Sequence, residues 1–319
     1  MAKGNNENIQ FIGVDIGRGY SKFWTEVNGE PLKCSIKSCS GLWKPNVEIN
    51  YENSAYIEFN ENKLFVGVVA EKETIARINA DNSKTSEIAQ ILLAAGLSEV
   101  AKSNKVVLGI GMPNTTFKIK KEREDIVNFY TGKKIIVKNI KSDETKEIEI
   151  VSVTCFREAD AVIYSGDFNI EEGTPTGVIS IGFRTSERSY YDEEFRWIVS
   201  NSVSDEKGNN EILKQVQADL SNQDSNFAYR ISDIEYGKTK IITNTRDKYY
   251  EAFSKGFLDL VCAQWPNASS MEIIVCGGTV EKLDLSYLPD NFRILDDPIF
   301  ASAKGLYNIA KDNFEDEER

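Results

Sequence analysis

The 319-residue sequence contains no histidine. That absence removes Ser-His-Asp and Cys-His relays, histidine phosphotransfer and the commonest transition-metal ligand. Acid–base chemistry must fall to carboxylates, lysines, tyrosines or water. Cysteine is scarce as well, and Cys34, Cys39, Cys155, Cys262 and Cys276 are odd in number and mostly far apart. With no histidine to complete a zinc site, they read as buried structural thiols. No apolar run approaches the roughly 20 residues that a membrane span needs. The opening MAKGNNENIQ lacks the apolar core of a secretion signal, so a cytoplasmic protein with no membrane partner is the expectation.

Positive charge is also in deficit: 38 Lys and Arg stand against 50 Asp and Glu, a net charge of −12. Such a field repels nucleic acid and anionic membranes. The one basic run, KIKKER at 118–123, reads as the solvated face of a helix, and no direct nucleic-acid binding is expected. What is present, 41% hydrophobic and 28% charged residues, describes a globular chain long enough for two domains or one two-lobed unit.

Ile9 to Asp15 is apolar almost throughout, as in a strand covered on both faces. KFWTEV and KCSIKS continue it as a meander. Within 41–80, AYIEF and KLFVGVV are joined by NENK as a hairpin, and a small inserted subdomain fits there. Apolar residues at 88, 91, 92 and 95 predict a helix over 85–102; KVVLGIG is a buried strand, Lys118 to Tyr130 an amphipathic helix, and KIIVKN with EIEIVSVTCF a hairpin. A helix is expected to start at Glu158–Tyr164, before the polar linker GDFNIEEGTPTG. After the linker the pattern restarts: VISIG, then strands ERSYYD and RWIVSN, helices from about Asn209 to Leu220 and through YYEAFSKGFLDLVCAQW, the strand MEIIVCGG, the short strand FRIL, and a closing helix ASAKGLYNIAKDN. The tail FEDEER is expected to fray. Strands then helices, twice, imply an α/β protein of two lobes. Their expected bounds are 1–170 with 298–319, and 171–297.

The repetition is closest at two turns. GVDIGRGYSK (13–22) and GVISIGFRTSE (177–187) align at an offset of 165 positions, so that Gly17 falls on Gly182, Ser21 on Ser186 and Asp15 on Ser180. A strand ending in Gly and small residues exposes several backbone N–H groups, which form an anion nest. Alone, each turn is equally a hairpin corner; two copies with a third glycine turn, VCGGTVEKL (275–283), point to a polyphosphate held from both sides. Lys22 supplies a point charge, and Asp15 is placed to hold a hydrated magnesium ion. The third turn is expected to open a helix near Thr279 whose N–H groups face an anion or ribose. No Walker A loop is present.

These residues resemble a known family. VDIGRGYSK looks like the first phosphate loop of the actin fold, GVISIGFRTSE like the second and IIVCGGTVEKL like the adenosine loop. VLGIGMP fits the strand and loop before the lobe-closing helix, and DPIFASAKGLY resembles the C-terminal stretch of ParM-type plasmid-segregation actins. The resemblance implies an actin-like (ribonuclease H-like) fold: two lobes, each a mixed five-stranded sheet with flanking helices, with a nucleotide and Mg2+ in the cleft. It implies that Asp15, Gly17, Gly19, Tyr20 and Lys22 touch phosphates and metal, opposed by Ser180, Gly182, Arg184, Thr185 and Ser186. Gly277, Gly278 and Thr279 then meet the nucleoside, Gly208 of KGNNEIL lies beside it, and Glu211 with Lys214 borders the base. CFREADA resembles the segment that carries the water-positioning acid, which makes Glu158 the candidate for aligning the attacking water; its plainer reading is a carboxylate favoured at a helix N-terminus.

One departure matters. The second loop of these proteins ordinarily begins with Asp, where this chain has Ser180, and its closing acid is Glu187. Losing one charged ligand costs a few kcal/mol in the transition state, a factor of about 10² or more. Slow hydrolysis, recruitment of another carboxylate such as Asp160, and binding without turnover all follow. The resemblance implies a filament-forming protein that uses ATP or GTP, assembles head-to-tail and reaches plasmid DNA through an adaptor of the ParR type. The alternatives are a small-molecule kinase of the same fold and a nucleotide-binding scaffold without turnover.

Overall fold

A computed structural model of the chain describes residues 9–45, 47, 50–81, 83–223 and 227–317. They form two compact units, Met1–Gly166 with Phe300–Arg319, and Asp167–Ile299.

The first unit opens with β1 (Ile9–Ile16), which turns into β2 (Tyr20–Val27) and β3 (Glu30–Lys37) as an antiparallel meander. β4 (Cys39–Leu42), β5 (Ser54–Phe59) and β6 (Asn62–Gly67) follow, then a short helix α1 (Val68–Glu73) and β7 (Arg77–Asn79). α2 (Glu87–Val100) is capped by the Ser86 hydroxyl, which accepts from the Ala89 amide. β8 (Lys105–Met112), α3 (Asn114–Phe117), α4 (Lys120–Tyr130), β9 (Lys134–Asn139) and β10 (Glu144–Arg157) complete the continuous part.

The second unit repeats the plan with β11 (Thr176–Ile181), β12 (Ser186–Tyr191) and β13 (Val203–Asp205). Helices α5 (Asn209–Gln223), α6 (Ile231–Tyr236) and α7 (Lys240–Gln264) then lead to β14 (Glu272–Cys276) and β15 (Phe292–Ile294). The last helix, α8 (Ala301–Glu317), belongs to the first unit.

The repeat seen in the sequence extends to topology. The second sheet runs β13-β12-β11-β14-β15, and the first contains β3-β2-β1-β8-β10 in the corresponding order. In both, the leading three strands pair antiparallel and the other two join in parallel. The first sheet does not stop at five strands. β10 pairs with β9 and β9 with β5, so the ladder continues through β6, β4 and β7 to ten. The segment near 41–80 therefore extends the sheet.

β1 and β8 are apolar almost throughout because both faces are covered. α2 packs Ile88, Leu92 and Leu97 into the cluster that holds Ile12, Val14, Val106 and Leu108. On the other face α8 sits directly on the backbone: a Cβ on Gly13 would lie 1.8 Å from the Ala303 carbonyl, and one on Gly305 1.7 Å from that of Ala161. Glycine at those positions is what lets the helix seat, a physical basis for the GL of the closing motif. In the second unit Phe257, Val261 and the fully buried Trp265 pack onto Ile179, Ile181, Ile273 and Val275.

Several expectations change. The helix expected at Glu158–Tyr164 is a 3-10 turn over Asp160–Tyr164, and the one expected near Thr279 is only a 3-10 turn, Val280–Lys282. RWIVSN is not a strand: Phe195 takes a left-handed φ of 60°, Trp197 bridges Tyr191 singly, and Val199–Asn201 coils as 3-10. α7 begins nine residues before YYEAF, and α6 is unforeseen. The tail FEDEER is helical to Glu317, continuing α8, which is anchored by buried Ala303, Leu306 and Ala310, and its last two residues lie outside the described ones. Cys39 and Cys276 are buried thiols, but Cys262 is exposed on α7. KIKKER behaves as read, with exposed Lys120 and Lys121 paired to Glu124 and Asp125 one turn on. Among the described residues no helix is long and apolar enough to cross a membrane.

Candidate functional site

The two repeated turns close in the same way. In the first unit the Gly17 amide donates to the Tyr20 carbonyl at 3.2 Å; in the second the Gly182 amide donates to the Thr185 carbonyl at 2.8 Å. Behind each turn the strand pairs keep register, Ile16 opposite Ser21 and Ile181 opposite Ser186. One step further back, Asp15 faces Lys22, and Ser180 faces Glu187. Cross-strand partners share a face, so each pair presents its side chains together.

In the first unit that pair is an ion pair, Lys22 Nζ to Asp15 Oδ2 at 2.7 Å, with side-chain exposures of only 13% and 8%. Asp15 and Lys22 therefore hold one another in this structure, although the sequence reading assigns them separately to metal and phosphate. Gly19 binds through its carbonyl, which accepts from the Ser38 amide at 2.8 Å. Tyr20 lies under Lys37, whose Nζ is 4.8 Å from the ring centre.

Glu158 lies in the same unit. Its amide donates to the Met112 carbonyl at 2.9 Å, which fixes it to the end of β8. Its carboxylate meets Lys84, a residue that the sequence reading passed over. Lys84 is buried at 7% exposure, and its Nζ lies 2.7 Å from the Ile16 carbonyl and 3.3 Å from Glu158 Oε2. The Tyr130 hydroxyl donates to the Lys84 carbonyl at 2.7 Å, so the backbone is held as well. Burial pushes the Glu158 carboxyl upward; the cation of Lys84 opposes this, and the charge of Asp15 adds to it. Lys84 stands in a polar stretch before a helix, where a single sequence gives no cue that it turns inward. Asp160, considered as a spare carboxylate, is fully buried and paired with Arg157, which excludes it from recruitment in this arrangement.

In the second unit three segments meet at one carbonyl. Gly182 O accepts from the Thr279 hydroxyl at 2.8 Å and from the Asn209 amide at 3.1 Å. The Asn210 amide donates to Phe183 O at 2.7 Å. Gly208 is required here, since a Cβ would come within 2.6 Å of the Gly182 oxygen. Gly277 takes a left-handed φ of 103° against Ile181. The structure thus brings together Gly182, Gly208, Gly277, Gly278 and Thr279. Thr279 itself is 1% exposed and holds the turn, so it supports the site from behind.

Ser186 differs from expectation. Strand alternation turns it to the α7 face, where its hydroxyl donates to the Lys207 carbonyl at 2.6 Å. It ties the 207–209 segment to the turn and offers no hydroxyl hydrogen to a ligand. Arg184 and Thr185 are half-buried at the tip, and Arg184 makes no ion pair among the described residues. Glu211 and Lys214 form an exposed pair at 3.7 Å. Glu187, opposite Ser180 and also opposite Ser204 of β13, is 3% exposed.

Two observations bear on whether a phosphate ligand and a cation fit. A Cβ on Gly278 would meet nothing within 4 Å, so packing does not require glycine there and the space before it is open. Among the described residues no group of three or more acidic or thiol side chains could cage a metal alone. Asp15 by itself suits Mg2+, which keeps most of its waters and takes phosphate oxygens as ligands.

Residues 13–159 match the family model for the N-terminal domain of actin-like proteins. That stretch is similar to the family. The fold of the whole chain is actin-like too: it is similar to a non-polymerisable mutant of pCBH ParM at 20% identity, covering 96% of this chain and 100% of that one, with a TM-score of 0.76. It is similar to Ta0583, an archaeal actin homologue, at 16% identity over 95% and 99% of the two chains, with a TM-score of 0.75. A third similar structure is a 15-stranded ParM filament from Clostridium botulinum, at 20% identity over 96% and 99%, TM-score 0.76. No curated protein matches this actin-like chain by sequence.

Proposed function

We propose that this actin-like chain binds a nucleoside triphosphate with Mg2+ and assembles head-to-tail into filaments that move plasmid DNA. The observation that carries the reading is the duplicated turn: Gly17 and Gly182 close identical corners, on matching strand pairs, at one offset along the chain. Each corner gathers backbone N–H groups without acidic side chains at its tip, which is what a phosphate chain needs. Lys22 carries positive charge to the first turn and Arg184 to the second. Gly208, Gly277 and Gly278 leave room for a nucleoside beside the second turn.

A bound Mg2+ would supply neutralisation of the phosphate charge. Asp15 would hold the ion, and Lys22, paired with Asp15 at 2.7 Å here, would give its charge to a phosphate oxygen. Glu158 orients the attacking water and accepts its proton. Ser180 brings no charge to the second turn, so hydrolysis is slow. Filament formation draws support from the similar ParM filament, and a heterologous, non-closing interface generates such polymers. The net charge of −12 agrees with DNA being reached through a basic adaptor protein of the ParR type.

Phosphate release from polymerising protein, followed over hours with ATP and with GTP, tests the catalytic half of the reading. Release above the buffer blank is expected; none above it leaves a nucleotide-binding filament without turnover, the reading that Ser180 favours next.

A further inference from the structure

We propose that Lys84 is the residue by which the first unit recognises the terminal phosphate of the nucleotide. The inference rests on the nucleotide reading above and adds a residue to it. A lysine ammonium has three donors. Those of Lys84 have two partners, the Ile16 carbonyl at 2.7 Å and Glu158 Oε2 at 3.3 Å. Ile16 is the residue immediately before Gly17, so the ammonium sits at the root of the first turn. In the reading above Glu158 aligns the water, and on that reading the same ammonium belongs at the reacting end of the phosphate chain.

Burial makes this position consequential. At 7% exposure a cation is costly unless paired. Among the described residues the 3.3 Å contact to Glu158 is the one ion pair Lys84 makes. Among the described residues Lys84 is thus a buried cation with a single counter-ion and one donor unused. An anionic oxygen arriving at the Gly17 turn completes its coordination. The Tyr130 hydroxyl on the Lys84 carbonyl and the Ser86 cap of α2 fix the chain at Lys84 and just after it, so little order has to be gained on binding. A diphosphate, which lacks the terminal group, leaves Lys84 on Glu158.

The test is a titration of a fluorescent nucleoside triphosphate and the matching diphosphate, with Mg2+, into the full-length wild type, Lys84→Met and Lys84→Arg. Lys84→Met is expected to weaken the triphosphate about tenfold or more and the diphosphate by less than about twofold, with Lys84→Arg between wild type and Met. Equal weakening of both ligands, or of neither, overturns the proposal while leaving the nucleotide reading intact. Wild type that binds neither ligand overturns the nucleotide reading itself, and this inference with it. Should Lys84→Met fail to fold, the wild type decides by NMR of 15N-lysine: the ammonium signal missing in Lys84→Arg must shift with triphosphate and stay in place with diphosphate. A signal indifferent to the terminal phosphate contradicts the assignment.

Discussion

Ser180 and Glu187 are direct cross-strand partners, at the same register position that Asp15 and Lys22 occupy in the first unit. One repeat places opposite charges side by side; the other places a carboxylate beside a neutral hydroxyl. The first pair is self-neutralising.

That relationship makes Ser180→Asp a two-sided substitution. It sets a second carboxylate directly opposite Glu187, and like charges at such positions destabilise by roughly 0.2–1 kcal/mol. The variant is expected to melt below wild type without ligand, to recover with Mg2+ and triphosphate, and to release phosphate faster. Thermal melts with and without Mg2+-triphosphate check the first two, and an unchanged phosphate release rate would show that Ser180 is not what slows turnover.

Lys22→Ala leaves Asp15 as a buried carboxylate, 6% exposed, without its 2.7 Å partner. A loss of about 3–5 kcal/mol in urea unfolding is expected. Lys22→Met combined with Asp15→Asn removes both charges and is expected to cost much less. Additive losses in the double variant would mean that the pair is not coupled.

The Glu158 carboxyl, raised by burial and by the nearby charge of Asp15 and lowered by Lys84 and Lys22, sets a pH dependence. A base acts as the carboxylate, so phosphate release falls as pH drops through the raised value, above the ordinary glutamate range. The sign for stability is opposite: a carboxyl raised on folding favours the folded state at low pH, and this contribution is lost as pH rises through its folded value. Lys84→Met removes the main lowering charge and is expected to move the acid limb of the rate profile to higher pH. A limb unmoved in that variant would detach Glu158 from the reaction.

Gly208→Ala drives a methyl to 2.6 Å from the Gly182 oxygen, which also accepts from Thr279 and Asn209. The second turn must shift, and nucleotide affinity is expected to fall at least tenfold. Thr279→Val deletes a single hydrogen bond and is expected to cost about 1 kcal/mol of stability. Isothermal titration and melting of both variants check this; tight binding by Gly208→Ala would show that the turn is not the phosphate contact.

Much of this was legible in the residues. The buried strands β1, β8 and β14 follow from continuous apolar runs, and the two turns follow from their shared spelling. Glycine at 13 and 305 carried a packing signal that the motif DPIFASAKGLY expressed without its reason. What stayed hidden depends on long-range contact. Lys84 looks like any polar residue before a helix until the Ile16 carbonyl and Glu158 come to meet it. Ser186 matches a phosphate-loop serine in sequence, yet strand alternation turns it to the α7 face. The five strands added to the first sheet depend on β5 finding β9, a pairing between segments about eighty residues apart.

The most direct test of the account is sedimentation of the purified chain with Mg2+ and ATP, with Mg2+ and GTP, and with Mg2+ alone. The account predicts a filament pellet only where a triphosphate is present, and its loss in a variant carrying both Gly208→Ala and Lys84→Met. A chain that pellets equally without nucleotide, or stays monomeric with either nucleotide and phosphorylates a metabolite instead, would contradict it.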